Sequence, residues 1–89
     1  MTIFVSRSFL RKYKKLLKQN PRLREKIKNQ LSIFQDNPNH PSLRLHKLQG
    51  KMITDWSISV GQDLRLIFTN VKDGILLVDI GKHEEVYKD

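Results

Sequence analysis

The sequence predicts a single α+β domain in which a hairpin of two helices packs on a small, mainly antiparallel sheet. Two observations support this fold class. Apolar residues recur with helical spacing in the first part of the chain, and beyond Gly50 their period changes to two. A chain of 89 residues has room for one core, so one domain should span residues 1–89. The predicted order of elements is β-α-α-β-β-β.

The N-terminal elements are a short strand and two amphipathic helices. Thr2 to Val5 is β-prone, and Ser6 is suited to cap the helix that follows. Asn20 and Pro21 predict the start of the second helix, with Asn20 as its cap, and Asp36–Asn37–Pro38 predicts its end. The short link makes the two helices an antiparallel hairpin. Helical spacing is carried by Phe9, Leu10, Tyr13, Leu16 and Leu17, and then by Leu23, Ile27, Leu31 and Phe34.

The second half of the chain predicts a meander of three strands. Asn39 to Gly50 contains a proline and is interpreted as a loop. Asn70 to Gly74 ends in Asp-Gly, which is a strong hairpin signal. Gly81 to Asp89 is expected to form a polar tail. The strands are predicted from alternating or continuous apolar residues at Trp56 to Val60, Leu64 to Phe68 and Ile75 to Ile80.

The helical hairpin is expected to cover one face of this meander, because an apolar sheet face must be buried against a second layer. The expected core residues are Leu16, Leu17, Ile27, Leu31, Trp56, Ile58, Leu66, Phe68 and Leu77. The other face carries polar side chains and is expected to be open to a polar partner. These side chains belong to Ser57, Ser59, Arg65 and Asp79.

The charge of the chain is the strongest indication of its partners. Seventeen Lys and Arg residues stand against nine Asp and Glu, which gives a formal net charge of +8. Such an excess predicts a polyanionic partner, namely a nucleic acid, an anionic membrane or an acidic protein. Cations crowd the first third of the chain, where Glu25 is the only acid before Asp36. This uneven placement favours a nucleic acid that follows the helices.

Several classes of protein and site lack support in the sequence. No apolar run approaches the roughly 18 residues of a membrane span, and the start does not resemble a signal peptide, so we expect a cytoplasmic protein. The absence of cysteine excludes disulfides and thiolate metal sites. The histidines lack metal-ligand spacing, and no Gly-rich loop follows a strand. We therefore expect neither a metal nor a cofactor.

Polar residues of the types that RNA cleavage without metal needs converge around the predicted open face. His46 precedes the meander, Asp63 and Arg65 lie on its middle strand, and His83 and Tyr87 follow its last strand. Cleavage of RNA without metal needs a base for the 2′-hydroxyl, an acid for the departing 5′-oxygen and a cation for the transition state. Histidine titrates near neutrality and serves either proton transfer. An aromatic ring stacks on a splayed base.

Four runs in the second half resemble the RelE/ParE superfamily of bacterial toxins, and most closely its YafQ-like branch. They are His46-Lys47-Leu48-Gln49-Gly50, Asp55-Trp56-Ser57-Ile58, Asp63-Leu64-Arg65-Leu66-Ile67-Phe68 and Ile80-Gly81-Lys82-His83-Glu84-Glu85-Val86-Tyr87. The β-α-α-β-β-β order also matches. The resemblance implies the toxin of a type II toxin–antitoxin system, with an acidic antitoxin partner. In the RelE and YafQ branches it also implies mRNA cleavage in the ribosomal A site.

The resemblance also implies roles for individual residues. By position, His46, Asp63 and His83 match the acid–base residues of the YafQ-like branch. Tyr87 matches a C-terminal aromatic near the substrate, and Arg65 matches a strand arginine that binds phosphate in RelE-like members. The chain departs from the pattern at Ser59, where some YafQ-like toxins have histidine, and at Leu64, where they have tryptophan.

Two other functions stay open at this point. A ParE-like toxin poisons DNA gyrase and is not a nuclease, and a non-enzymatic module would only bind RNA or DNA. His83 and Tyr87 favour the nuclease, because they supply titratable groups near the C-terminal end of the sequence, where a nuclease of this family needs them. Basic residues expected to contact the ribosome and its RNA are Arg11, Lys14, Lys15, Lys18, Arg22, Lys47, Lys51 and Lys82.

Overall fold

Two helices pack on a five-stranded, mostly antiparallel sheet, as the sequence predicts. The computed structural model describes residues 1–49, 54–61, 63–82 and 86. The strands are β1 (Thr2–Val5), β2 (His46–Lys47), β3 (Asp55–Gly61), β4 (Leu64–Val71) and β5 (Gly74–Lys82), and the helices are α1 (Arg7–Gln19) and α2 (Leu23–Asp36). None of the helices in these ranges has the length and apolarity needed to cross a membrane.

The start of α1 is capped as expected, but the start of α2 is not. The backbone N–H of Phe9 donates to the Ser6 hydroxyl over 3.1 Å, which satisfies an amide that the first turn leaves unpaired. The predicted cap for α2, Asn20, instead ends α1, because its backbone N–H donates to the Leu16 carbonyl over 2.9 Å. The cap position of α2 is Arg22, which makes no side-chain capping bond.

The sheet has the strand order β1-β5-β4-β3-β2. β1 pairs in parallel with β5, and the other neighbours are antiparallel. The parallel pair depends on Gly74, which lies opposite Thr2. A Cβ atom at residue 74 would lie 1.8 Å from the carbonyl oxygen of Thr2, so only glycine permits this close approach.

The segment predicted as a loop between α2 and the meander contains two short elements. Pro41–Leu43 forms a 3₁₀ turn that ends at Arg44, whose φ of 47° is left-handed. β2 follows and pairs with β3, His46 opposite Ser57 and Lys47 opposite Trp56. The prediction of a plain loop was wrong because β2 pairs with β3 and forms an edge strand of the sheet. A strand of two residues has no alternation that would predict it, and Pro41 favours a loop.

The main core lies between the helices and one face of the sheet, as predicted. Leu66 has no exposed surface, and the expected residues Ile27, Ile58, Phe68 and Leu77 are buried in the same cluster. Leu16, Leu31 and Trp56 are partly buried and pack against it. Leu17 is half-buried. Phe34 meets Phe68 edge to face, with ring centroids 5.0 Å apart.

The second face of the sheet is not open along its whole length. Leu48, Ile67 and Val86 form a small buried cluster there, joined by Val78. Val78 is an extra residue in β5, because Ile67 pairs with Asp79 whereas Phe68 pairs with Leu77. The prediction of an open polar face was therefore wrong in its middle.

Three of the four polar residues expected on that open face are also more covered than predicted. Ser57 is fully buried, and Ser59 is only 7% exposed. Asp79 forms an ion pair with Lys12 of α1 over 2.7 Å, and its carboxylate also accepts from the backbone N–H of Ile80. Alternation along the strands cannot reveal such contacts, because the partner of Asp79, for example, lies on α1.

Candidate functional site

His46, Ser59 and Arg65 form a polar patch on the sheet face that points away from the helices. Ser59 on β3 lies directly opposite Arg65 on β4, and such pairs have Cβ atoms about 4.5–5.5 Å apart. His46 lies opposite Ser57, two residues from Ser59. His46 and Ser59 are therefore diagonal neighbours, roughly 7–8 Å apart. The structure thus places His46 and Arg65, two of the five predicted catalytic residues, on one face of the sheet, two strands apart.

Arg65 has an unsatisfied hydrogen-bonding group. Its side chain is half-buried, and the Nη1 atom is buried with no hydrogen-bond partner in the described structure. A buried donor without a partner costs about 1–3 kcal/mol, and more when it is charged. Planar guanidinium groups match the geometry of phosphate oxygens, so a phosphate placed beside Ser59 would satisfy this nitrogen.

His46 is exposed and is held by the backbone pairing of β2. Its neighbour Lys47 lies on the other face, with Nζ 5.9 Å from the centre of the Trp56 ring, and Trp56 packs against the helix-side core. The two-residue strand therefore separates these side chains, as the alternation of a β-strand requires. Lys47 cannot join the polar patch and, as an RNA contact, would have to act from the helix side.

Asp63 is not next to His46. It is exposed and comes just before β4, beyond the Gly61–Leu64 pair, whereas His46 is level with Ile67. Four residues of extended strand separate Asp63 from that level, which is roughly 13 Å along the sheet. Asp63 lines a cleft on the helix side together with Lys12, Lys15, Lys26 and Lys82. The resemblance groups Asp63 with His46 as acid–base residues, but the structure separates the two along the sheet.

Val86 lies on the face of the sheet that carries the patch. It is 2% exposed and packs with Leu48 and Ile67. The predicted site residues His83 and Tyr87, and the predicted RNA contact Lys51, lie outside the described residues. Val86 was not predicted to be buried, because a single valine in a polar segment has no periodicity that would mark it.

The remaining predicted RNA contacts are on the surface. Arg11, Lys14, Lys15 and Lys18 are exposed on α1, Arg22 is exposed in the link, and Lys82 is exposed at the end of β5. Lys12 and Lys26 also line the cleft but were not among the predicted RNA contacts. The position of Lys12 was predictable, because Lys12 and Lys15 are three residues apart on one helix and therefore share a face. Among the described residues, no three His, Cys, Asp or Glu side chains are grouped as metal ligands.

Comparison with known protein families decides the relationship of this chain. The family described as "Bacterial toxin of type II toxin-antitoxin system, YafQ" matches residues 1–88. The chain belongs to the YafQ family of type II toxins. A search of curated proteins gives no match. The YafQ assignment agrees with the runs around His46, Asp63 and His83 that suggested this branch of the RelE/ParE superfamily.

Solved structures of similar toxins share the fold. YafQ from E. coli superposes with a TM-score of 0.80 at 19% identity, and the match covers 98% of both chains. The YoeB/ParE toxin from Agrobacterium tumefaciens has a TM-score of 0.78 at 18% identity, covering 93% of this chain and 99% of that one. YafQ in the E. coli DinJ-YafQ complex gives 0.77 at 19% identity, covering 98% of both chains. At these identities the likeness supports the fold alone.

Proposed function

We propose that this YafQ-family toxin is an endoribonuclease that cleaves mRNA in the A site of the ribosome without a metal ion. The observation that carries the proposal is the buried, unpartnered Nη1 atom of Arg65, which lies opposite Ser59 on the face that also carries His46. A folded protein keeps such a group at a cost in stability, and functional sites are where such costs are found. A phosphate group is the natural partner of this guanidinium.

The proposed reaction is an attack by the mRNA 2′-hydroxyl on its own 3′-phosphate. A base takes the proton of the 2′-hydroxyl, the new P–O2′ bond forms, and the P–O5′ bond breaks. An acid gives a proton to the departing 5′-oxygen, so the products are a 2′,3′-cyclic phosphate and a 5′-hydroxyl. His46 and His83 carry the two proton transfers in this proposal, and Arg65 stabilises the charge on the phosphate.

Tyr87 and Asp63 have supporting roles in the proposal. Tyr87 positions the base or phosphate, and it directly follows the buried Val86 in the sequence. Asp63 lies beyond the Gly61–Leu64 pair, too far along the sheet to orient His46. We keep Asp63 in the proposal as a carboxylate that reaches RNA from the end of the β3–β4 hairpin.

The proposed partners are an antitoxin, the ribosome and mRNA. Solved complexes of DinJ with YafQ and of YoeB with YefM pair a toxin of this fold with a second protein. We propose an acidic antitoxin for this chain, because its own net charge is +8. The exposed cations of α1 would contact ribosomal RNA, in the cytoplasm, with a salt dependence set by the number of phosphates neutralised.

The test is cleavage of mRNA on purified programmed ribosomes. His83→Ala and His46→Ala should each lower the cleavage rate by about 10²–10⁴-fold, because each removes a proton transfer. Ribosome affinity should change little. EDTA sufficient to bind trace transition metals, in excess Mg²⁺ that keeps ribosomes intact, should leave the rate unchanged. Undiminished cleavage by His83→Ala, or loss of cleavage in EDTA, would contradict the proposed chemistry.

A gyrase assay separates this function from the alternative in the same superfamily. DNA supercoiling by purified gyrase should be unaffected by the chain at concentrations that stop translation. Inhibition of gyrase together with uncut mRNA would favour a ParE-like activity.

A further inference from the structure

A basic cleft of about 680 Å³ lies on the helix side of the sheet, away from the patch of His46, Ser59 and Arg65. Its walls come from α1, the start of α2 and the ends of β3, β4 and β5. Four lysines line it, namely Lys12, Lys15, Lys26 and Lys82. Of the residues that the structure describes, Asp63 is the one carboxylate in this lining.

The positive charge of the cleft is mostly uncompensated. Lys12 is paired with Asp79 over 2.7 Å. Within the described ranges, Lys15, Lys26 and Lys82 have no carboxylate at ion-pair distance. Like charges that share a cleft with apolar walls repel one another and focus a positive potential, which concentrates anions there. Leu16, Leu23, Val60, Leu64 and Ile80 supply the apolar lining.

The cleft begins where the polar patch ends. Arg65 pairs with Gly81, and the next pair along the same two strands is Leu64 with Lys82. Arg65 and Lys82 are therefore on neighbouring strands, one position apart along the sheet. Arg65 is on the face with the polar patch, and Lys82 is on the helix side. A strand of RNA with one phosphate at Arg65 would pass over this end of β4 and β5 and enter the cleft.

We propose that this cleft is a subsite for the sugar–phosphate backbone of the mRNA next to the scissile bond. The lysines would bind successive phosphates, and Asp63 would accept a hydrogen bond from a ribose 2′-hydroxyl. The inference rests on the proposed nuclease function. It gives Lys12 and Lys26 a role in binding phosphate, which the proposed function does not give them. It also specifies a ribose 2′-hydroxyl as the group that Asp63 contacts.

The polar groups of the cleft favour RNA over an acidic polypeptide. The ionised side chains of a polypeptide rich in Asp and Glu are acceptors only, so they offer no hydrogen-bond donor to Asp63. RNA offers both phosphates for the lysines and hydroxyl donors for Asp63. The side chains of Gln19 and Asn20 also line the cleft, and their amides donate to sugar and base oxygens.

The experiment measures binding of a short single-stranded RNA to the purified chain at several salt concentrations, without ribosomes. The cleft variant combines Lys15→Gln, Lys26→Gln and Lys82→Gln. Each lost phosphate contact lowers the slope of log K against log salt by roughly 0.7 for single strands, so the variant should lose about 2 in slope. The control variant combines Arg24→Gln, Lys28→Gln and Lys72→Gln, which removes the same charge at exposed residues outside the cleft that have no proposed RNA contact. Its slope should fall by less than half as much.

A second arm tests the role of Asp63. The wild-type chain should bind RNA several-fold more tightly than DNA of the same sequence, and Asp63→Asn should remove this preference. The ratio of the two affinities is insensitive to a general change in charge or stability. Thermal unfolding of each variant confirms that it is folded.

Three outcomes would overturn the inference. Equal loss of slope in the cleft and control variants would show a diffuse field without a subsite. An unchanged RNA–DNA ratio in Asp63→Asn would remove the hydroxyl contact. Polyglutamate that binds through the cleft lysines when RNA does not would assign the cleft to an acidic polypeptide. Because no step of this experiment needs cleavage, failure of the nuclease function and failure of the subsite are distinguishable.

Discussion

Replacement of Arg65 by methionine should remove most of the cleavage activity without weakening the fold. Methionine keeps an unbranched apolar stem at the site and removes the guanidinium, whose Nη1 atom is buried without a partner. An unsatisfied buried donor costs about 1–3 kcal/mol, so its removal should raise the free energy of unfolding or leave it unchanged. The rest of the side chain is half-buried, and loss of its solvated part offsets some of the gain. We expect a net change between zero and about +2 kcal/mol.

The same substitution should remove most of the cleavage activity. Loss of one donor that stabilises transition-state charge typically costs about 10²–10³-fold in rate. Urea denaturation measures the stability, and cleavage of mRNA on programmed ribosomes measures the activity. Arg24→Met is the matched control, because Arg24 is exposed on α2 and lies outside every site proposed above. It carries the same change of net charge and should cut at the wild-type rate.

The reasoning about Arg65 is refuted by the opposite pattern. If Arg65→Met loses more than about 1 kcal/mol of stability and still cuts mRNA normally, the guanidinium is a structural group. Its unpaired nitrogen would then have no connection with phosphate.

Three further substitutions test the fold and the position of the C-terminal residues. Leu66→Ala should destabilise the chain by about 2–5 kcal/mol in urea, because the side chain is fully buried in the main core; a loss below 1 kcal/mol would contradict that assignment. Gly74→Ala should cost about 1–3 kcal/mol, since the new Cβ meets the Thr2 backbone, and unchanged stability would show that β1 shifts freely. Val86→Ala removes two buried methyl groups, worth about 1–2 kcal/mol, and should lower cleavage; Val71→Ala, at a residue that is 37% exposed, is its control, and equal cleavage by the two variants would show that Val86 does not position the site.

The elements of this fold were predictable because local patterns specify them. The serine cap of α1, the apolar spacing of both helices and the alternation along β3 and β4 each follow from short-range rules. Leu66 and Phe68 alternate with Arg65 and Ile67 along β4, so both side chains lie on one face of the strand, which is the face that the helices cover. The family relationship was likewise visible in the runs around His46, Asp63 and His83.

The contacts that depend on distant partners were not predictable. Ile67 is buried together with Leu48 and Val86, which lie far apart in sequence. The extra residue Val78 shifts the register of β5, and no local signal marks a bulge within an apolar strand. The separation of His46 from Asp63 follows from the pairing of β2 with the far end of β3. Matching motif residues to a family cannot show such a separation.

Mapping of mRNA ends is the direct test of whether this chain cleaves mRNA in the A site of the ribosome. Purified chain is mixed with one mRNA, either free or held on ribosomes with an empty A site, and the cut positions and end groups are determined. The account predicts cuts within the A-site codon only on ribosomes, with a 2′,3′-cyclic phosphate and a 5′-hydroxyl. Uncut ribosomal mRNA at toxin concentrations that arrest translation would contradict the account.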